Sequence, residues 1–206
     1  MQRIDHAVFA TTDLDAAADR WAGTHGLTST AGGSHPRWGT ANRIVPLGRD
    51  YLELIAVTDP ELARTTVLGR TLLGLLARGD AWFSVCVADD DIETTAARLG
   101  LDVEPGSRTR PDGQVVRWRG AGIDAPQRSL DLPFFIAWDV PPGLHPGASP
   151  PEHPCGATGI AAVEETGDAE AVRRWLGADL PIRVRAGEPG VVAVRLATPS
   201  GELRID

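Results

Sequence analysis

An imidazole and a carboxylate stand inside two strand-like segments near the start of this chain: His6 in Ile4-Asp5-His6-Ala7-Val8 and Glu53 in Tyr51-Leu52-Glu53-Leu54-Ile55. If both strands belong to one curled sheet, the two side chains converge on its concave face, as half of a metal site or as an acid–base pair. Glu53 is the more telling of the two. A carboxylate flanked by Leu52, Leu54 and Ile55 costs on the order of several kcal/mol to bury unpaired, so it requires a proton, a metal or an arginine. The plain alternatives are an ion pair for Glu53 and a hydrogen-bonded core histidine for His6; the chemical ones are a carboxyl of raised pKa in a pocket and a ligand or general base.

A second cluster runs from His35 to Asn42, His35-Pro36-Arg37-Trp38-Gly39-Thr40-Ala41-Asn42. It sets imidazole, guanidinium, indole, hydroxyl and amide around one glycine, a set of donors, acceptors and a flat aromatic suited to a polar organic molecule. The alternative is a hairpin loop in which Thr40 and Asn42 bond local backbone. Trp138 and the pair Phe134 and Phe135 are candidate walls of an apolar pocket, or ordinary strand core. His153, in His153-Pro154-Cys155-Gly156, is a further candidate at the pocket, although two residues from Cys155 and without an orienting third group it does not form a nucleophile pair. His25 suits a helix C-terminus and needs no role. His145, in a proline-rich loop, reads as a surface residue.

Composition removes several classes of function. The net charge is −8, with 28 acidic against 20 basic residues and no basic stripe, which excludes the usual nucleic-acid binder. Every basic residue is arginine. Without lysine there is no Schiff base for pyridoxal phosphate and no P-loop for nucleotide. Cys86 and Cys155 make no disulfide framework. No apolar run approaches ~18 residues, so a membrane-spanning helix is not expected. The chain opens directly on a strand, and the expected location is the cytoplasm.

These residues must be positioned by a small set of elements. Residues 1–57 read as strand, helix and three strands, the helix starting at Thr12 or Asp13 and stopping at Gly26. Residues 58–80 read as a connecting helix begun by Asp59-Pro60. A second strand–helix–strand–strand–strand series occupies 81–140, its helix starting at Asp90 and a Pro/Gly/Asp turn falling at 111–113. Residues 141–156 form a Pro/Gly-rich loop, and a third such unit, with a helix from Asp168, fills 157–206.

Repeated βαβββ units with a histidine on the first strand and a glutamate on the fourth resemble the vicinal oxygen chelate superfamily, which includes glyoxalase I, extradiol dioxygenases and bleomycin-resistance proteins. The segments around His6, His35–Asn42, Glu53, Leu132–Trp138 and His153–Gly156 are most similar to its glyoxalase-like subgroup. The resemblance implies an α+β fold of curled mixed sheets with helices outside, and a small-molecule ligand. It also implies units that pair within a chain or between two chains of a homodimer. Members with a metal hold a divalent ion by two or three side chains from each of two units. His6 and Glu53 match the first pair. Aligned on its helix cap, the second unit offers Trp82 or Phe83 and then Phe134 and Phe135; the third offers Ala161 and Glu202. Two functions stay open. One is a lyase- or isomerase-type enzyme in which Glu53 moves a proton, His6 partners it, and His35, Arg37, Trp38, Thr40 and Asn42 hold the substrate. The other is a non-catalytic binder of the bleomycin-resistance kind.

Overall fold

A computed structural model of the chain describes residues 1–206 apart from Pro111, Gln127 and Ser149, so the turn expected at 111–113 lies partly outside the described residues. Its first series is β1 (Gln2–Ala10), α1 (Leu14–His25), β2 (Thr30–His35), β3 (Thr40–Pro46) and β4 (Tyr51–Val57). Two short helices, α2 (Pro60–Ala63) and α3 (Val67–Leu76), lead to the second: β5 (Ala81–Asp89), α4 (Ile92–Leu99), β6 (Val103–Thr109), β7 (Val115–Ala121) and β8 (Phe134–Trp138). The third is β9 (Gly159–Thr166), α5 (Ala169–Leu176), β10 (Ile182–Arg185), β11 (Gly190–Thr198) and β12 (Gly201–Ile205).

The helix ends follow from capping chemistry. Asp13 accepts from the N–H groups of Asp15 and Ala16, and Gly26 closes α1 at φ 63°. Helix α4 is capped by Asp91 rather than Asp90. Strand β5 runs on to Asp89, whose buried carboxylate takes Gln2 Nε2 at 2.8 Å, Thr95 Oγ1 at 2.6 Å and the Asp91 N–H at 3.0 Å. That anchor moves the helix start one residue on. The single connecting helix is likewise two. Thr65 and Thr66 hydroxyls bond the carbonyls of Leu62 and Ala63 and end α2, and Thr66 then caps α3.

The fold is α+β. Eight strands close into a barrel in the order β1-β4-β3-β2-β6-β7-β8-β5, so two four-stranded halves meet along β1–β5 and along a slender β2–β6 seam, where Ser34 pairs with Thr109. Within each half the first strand lies parallel to the fourth. Two units of one chain therefore enclose the cavity.

The third unit repeats the order of elements but not of strands. Its sheet runs β10-β9-β11-β12, with its first strand inside the sheet. It lies on the outer face of β1 and β5, where Val163, Val194, Leu196 and Ile205 join Phe9, Trp21 and Trp82 in one core. Glu202, which the sequence alignment placed at a ligand position, lies there between Arg183 and Arg195. Among the described residues no helix is long and apolar enough to cross a membrane.

Candidate functional site

Alternation along the strands sends His6 and Val8 of β1, Tyr51, Glu53 and Ile55 of β4 and Asn42 of β3 into the barrel. They line a cavity of about 60 Å³, with Phe83, Trp118, Phe134 and Ile136 across from them. Trp38 also lines it, its indole Nε1 donating to Asp124 Oδ2 at 2.7 Å while Asp124 Oδ1 accepts from the Leu68 N–H at 3.0 Å. Mostly apolar walls with a few converging polar groups are the make-up of a small-molecule site.

The His6 ring spans two carboxylates. Its Nδ1 lies 2.7 Å from Asp5 Oδ1, and its Nε2 lies 3.5 Å from Glu53 Oε2. Tyr51 stacks on the same ring at 4.4 Å and Phe134 meets it edge-on at 5.6 Å, so it has little freedom to turn. The other carboxylate oxygen of Glu53 accepts from Asn42 Nδ2 at 2.5 Å. Neighbouring residues of a strand usually face opposite ways. Asp5 reaches His6 because β1 carries a bulge there: Ile4 pairs with Val87 and His6 with Cys86, leaving Asp5 as the extra residue.

Asp5 is fully buried and receives three donors. Beside His6, Trp138 Nε1 and His145 Nε2 each lie 3.0 Å from its Oδ2. The Gly147 N–H donates to His145 Nδ1, which puts the ring proton on Nε2 and aims it at Asp5. Burial pushes the Asp5 carboxyl up, but the hydrogen bonds from His145 and His6 outweigh it and hold the group well below the usual carboxylate range. An ionised Asp5 fixes the proton of His6 on Nδ1 and leaves Nε2 facing Glu53. His145, expected at the surface, is thus half-buried and tied to the site.

Burial lowers His35, with Glu53 opposing and the charges of Arg108 and His6 assisting, so its imidazole is neutral at pH 7; its Nδ1 lies 3.1 Å from Thr40 Oγ1. Burial, with the Asp5 and Glu53 charges, raises Tyr51 and Cys86 well above their ordinary values and keeps both protonated. Other candidates stand elsewhere. Arg37 points outward to Glu104 and Asp124. Phe135 is fully buried outside the barrel against α4 and α5, and its neighbour Phe134 takes the wall. His153 accepts the Thr28 N–H at Nδ1 and donates from Nε2 to Pro46 O at 2.7 Å, pinning the proline-rich loop to the barrel.

Superposing cap on cap, Asp13 on Asp91, places Ser84 opposite His6 and Cys86 opposite Val8. Val8 pairs with Glu53 and Cys86 with Phe134, so Phe134 is the counterpart of Glu53. These replace the Trp82 or Phe83 expected from Asp90; Trp82 belongs to the outer core and donates to Ile205 O. The Ser84 hydroxyl is already held by Arg128 Nη1 at 2.9 Å. His6 and Glu53 are close enough to share a divalent ion, but the facing half adds a committed hydroxyl and a phenyl ring. A second triad, Asp5, His6 and Cys86, gathers its donor atoms within 4.8 Å. There Asp5 already accepts from three donors, one of them His6, and Cys86 is fully buried, so an ion would have to displace bonds that the structure makes. The residues present do not make up a divalent-ion site.

Asp5, Tyr51, Arg108 and His145 belong to the site or touch it without having been singled out by sequence. A buried aspartate in an apolar strand was a readable signal for Asp5. Nothing local distinguishes Arg108 from the chain's other arginines.

The family described as Glyoxalase-like domain matches residues 4–180. No curated protein matches the chain. Among solved structures, a hypothetical protein from Staphylococcus aureus superposes with a TM-score of 0.70 at 16% identity, covering 99% of this chain and 84% of that one. Methylmalonyl-CoA epimerase from Streptomyces coelicolor gives 0.47 at 20% identity over 67% of this chain and 95% of its own. The Mycobacterium tuberculosis epimerase gives 0.45 at 16% over 66% and 86%. The first of these is a likeness of fold. With its family pattern spanning both halves of the barrel and reaching into the third unit, the chain belongs to the glyoxalase-like domain family.

Proposed function

We propose that this protein is an enzyme of the lyase or isomerase type that moves a proton at a carbon beside an oxygenated group of a small molecule. The observation that carries the reading is the placement of Glu53: a carboxylate inside the cavity, held at one oxygen by Asn42 and facing an imidazole whose far side is fixed by Asp5. Oε2, 3.5 Å from His6, is the loosely held oxygen and the one offered to a ligand. In the step itself the substrate C–H bond breaks, its proton passes to Glu53 Oε2, and the electron pair moves into the adjacent carbonyl to form an enolate. Return of the proton from Glu53, or from His6 Nε2 after transfer between the two, restores a C–H bond. Glu53 is the catalytic residue; His6 is its proton partner, and Asp5 positions His6. No step runs through a metal ion.

The cavity volume disfavours the second reading. A sequestering protein for a bulky aromatic or peptide-like ligand needs roughly 300 Å³ or more of pocket, against about 60 Å³ here. The test is deuterium incorporation into small carbonyl compounds in heavy water, followed by NMR. Wild type is expected to exchange the hydrogen next to the carbonyl, and Glu53→Gln to lose roughly 10²–10⁴ of the rate with its melting temperature kept. Wild-type exchange by Glu53→Gln would remove the carboxylate from the mechanism.

A further inference from the structure

Arg108, at the seam between the halves, is a buried cation without an anion to answer it. It is 5% exposed, and among the described residues no aspartate or glutamate lies within ion-pair distance of it. Its contact with a side-chain acceptor is a long one, Nη1 to Asn42 Oδ1 at 3.5 Å. Burying a guanidinium unpaired is costly, so its position calls for a negative partner. Asn42 explains why Glu53 is not that partner. Its amide accepts from Arg108 and donates to Glu53, and so stands between the two charges.

The surroundings are built to hold the guanidinium there. On β2, a Cβ at Gly32 would stand 2.0 Å from Asn42 Oδ1 and 2.9 Å from Arg108 Nη1, and one at Gly33 would stand 3.0 Å from Arg108 Cγ. The two glycines vacate the space that the arginine and the amide occupy. Arg108 also lines both the inner cavity and an outer groove of about 430 Å³, where Arg110 lies beside it. Arg110 in that groove is paired with Asp112, so Arg108 is the cation left there to meet an anion.

We infer that Arg108 receives the carboxylate of a small organic acid, and that this carboxylate sets the adjacent carbon against Glu53. The inference rests on the proton-transfer reading and supplies its substrate class, acids with an acidic C–H next to a carbonyl. A planar carboxylate matches the guanidinium fork, and its charge is neutralised by Arg108 before it meets Glu53.

Trp38, Trp118 and Trp138 line the cavity and report binding by fluorescence. Titrations with acetate against acetamide, and pyruvate against pyruvamide, use pairs of matched shape and different charge. Wild type is expected to bind each carboxylate at least tenfold more tightly than its amide. Arg108→Gln should abolish that preference, Arg108→Lys should keep part of it, and Glu53→Gln should keep or strengthen it. Equal binding of acid and amide by wild type overturns the inference whether or not any variant folds, as does an unchanged preference in Arg108→Gln. Inorganic phosphate binding more tightly than acetate would overturn the carboxylate assignment in favour of a phosphorylated ligand in the groove. The two readings fail separately: exchange that needs Glu53 but treats neutral and anionic substrates alike sinks only the role of Arg108. A carboxylate preference with exchange untouched in Glu53→Gln sinks only the proton transfer.

Discussion

The wall formed by β1, β3 and β4 presents His6, Asn42, Tyr51 and Glu53 to the cavity, while the wall from β5, β7 and β8 presents Phe83, Trp118, Phe134 and Ile136. The halves share strand order and register: Val8 stands to Glu53 as Cys86 stands to Phe134. Their inward chemistry differs almost completely. One scaffold, used twice, has gathered its carboxylates and imidazoles on one side and made the other largely apolar, with Cys86 in it and the buried Arg108 at the seam. Such a division concentrates acid–base chemistry on a short chain, Asp5 to His6 to Glu53, and uses the apolar wall to keep water from it. For a metal ion the second wall offers beside Phe134 only the Ser84 hydroxyl, already held by Arg128, and the buried Cys86.

Writing the first wall into the second is the strongest way to break this comparison. Ser84→His with Phe134→Glu gives the second half the residue types of the first. Without metal the double variant is expected to lose roughly 3–5 kcal/mol, from lost aromatic packing and a buried carboxylate. Zinc should recover much of that in thermal melts, and no recovery would mean that Ser84 and Phe134 are not the counterparts of His6 and Glu53. Asp5→Asn attacks the polar wall at its base. It weakens an acceptor for three buried donors, and urea unfolding should show a loss of about 3 kcal/mol together with slower exchange.

A buried carboxylate outside the barrel sharpens the contrast. Glu165 on β9 is 1% exposed, and its Oε2 has no hydrogen-bond partner among the described residues; nor has Asp131 Oδ1 nearby. Burial, with the Asp131 charge assisting, raises Glu165 to about 8. The folded state therefore binds this proton more tightly than the unfolded chain, whose glutamate titrates at about 4.3. The stabilisation is full below that value and is lost as pH rises through about 8. Glu165→Gln should flatten the slope, with a melting temperature a few degrees above wild type at pH 9 and no advantage at pH 4. The smallest effect is expected at His153→Ala. Losing two bonds to backbone should cost about 1–2 kcal/mol and leave acetate affinity unchanged, as suits a pin rather than a ligand contact.

The local code was readable where one residue type decides the matter. Asp13, Asp59 and Asp168 cap helices, Gly26 stops one, and alternation in β1 and β4 turns His6 and Glu53 the same way. Reading failed where one residue of register changes everything. Asp90 and Asp91 are equal candidates for a cap until Asp89 is seen to be anchored, and a strand reverses its faces with each residue. That is also why Phe135 was as good a guess as Phe134. Asp5 depends on a bulge, which is a property of the pairing of β1 with β5 rather than of either strand. His145 and Arg108 come to the site from a loop and from the far half, and their relation to Asp5 and Asn42 exists only once the barrel closes.

The chain of Asp5, His6 and Glu53 is the centre of this account, and the protonation of His6 tests it most directly. A ¹⁵N-resolved NMR spectrum of the His6 ring is predicted to show the proton on Nδ1 in a strong hydrogen bond that Asp5→Asn weakens. A ring protonated on Nε2 alone, or one unchanged by Asp5→Asn, would contradict it.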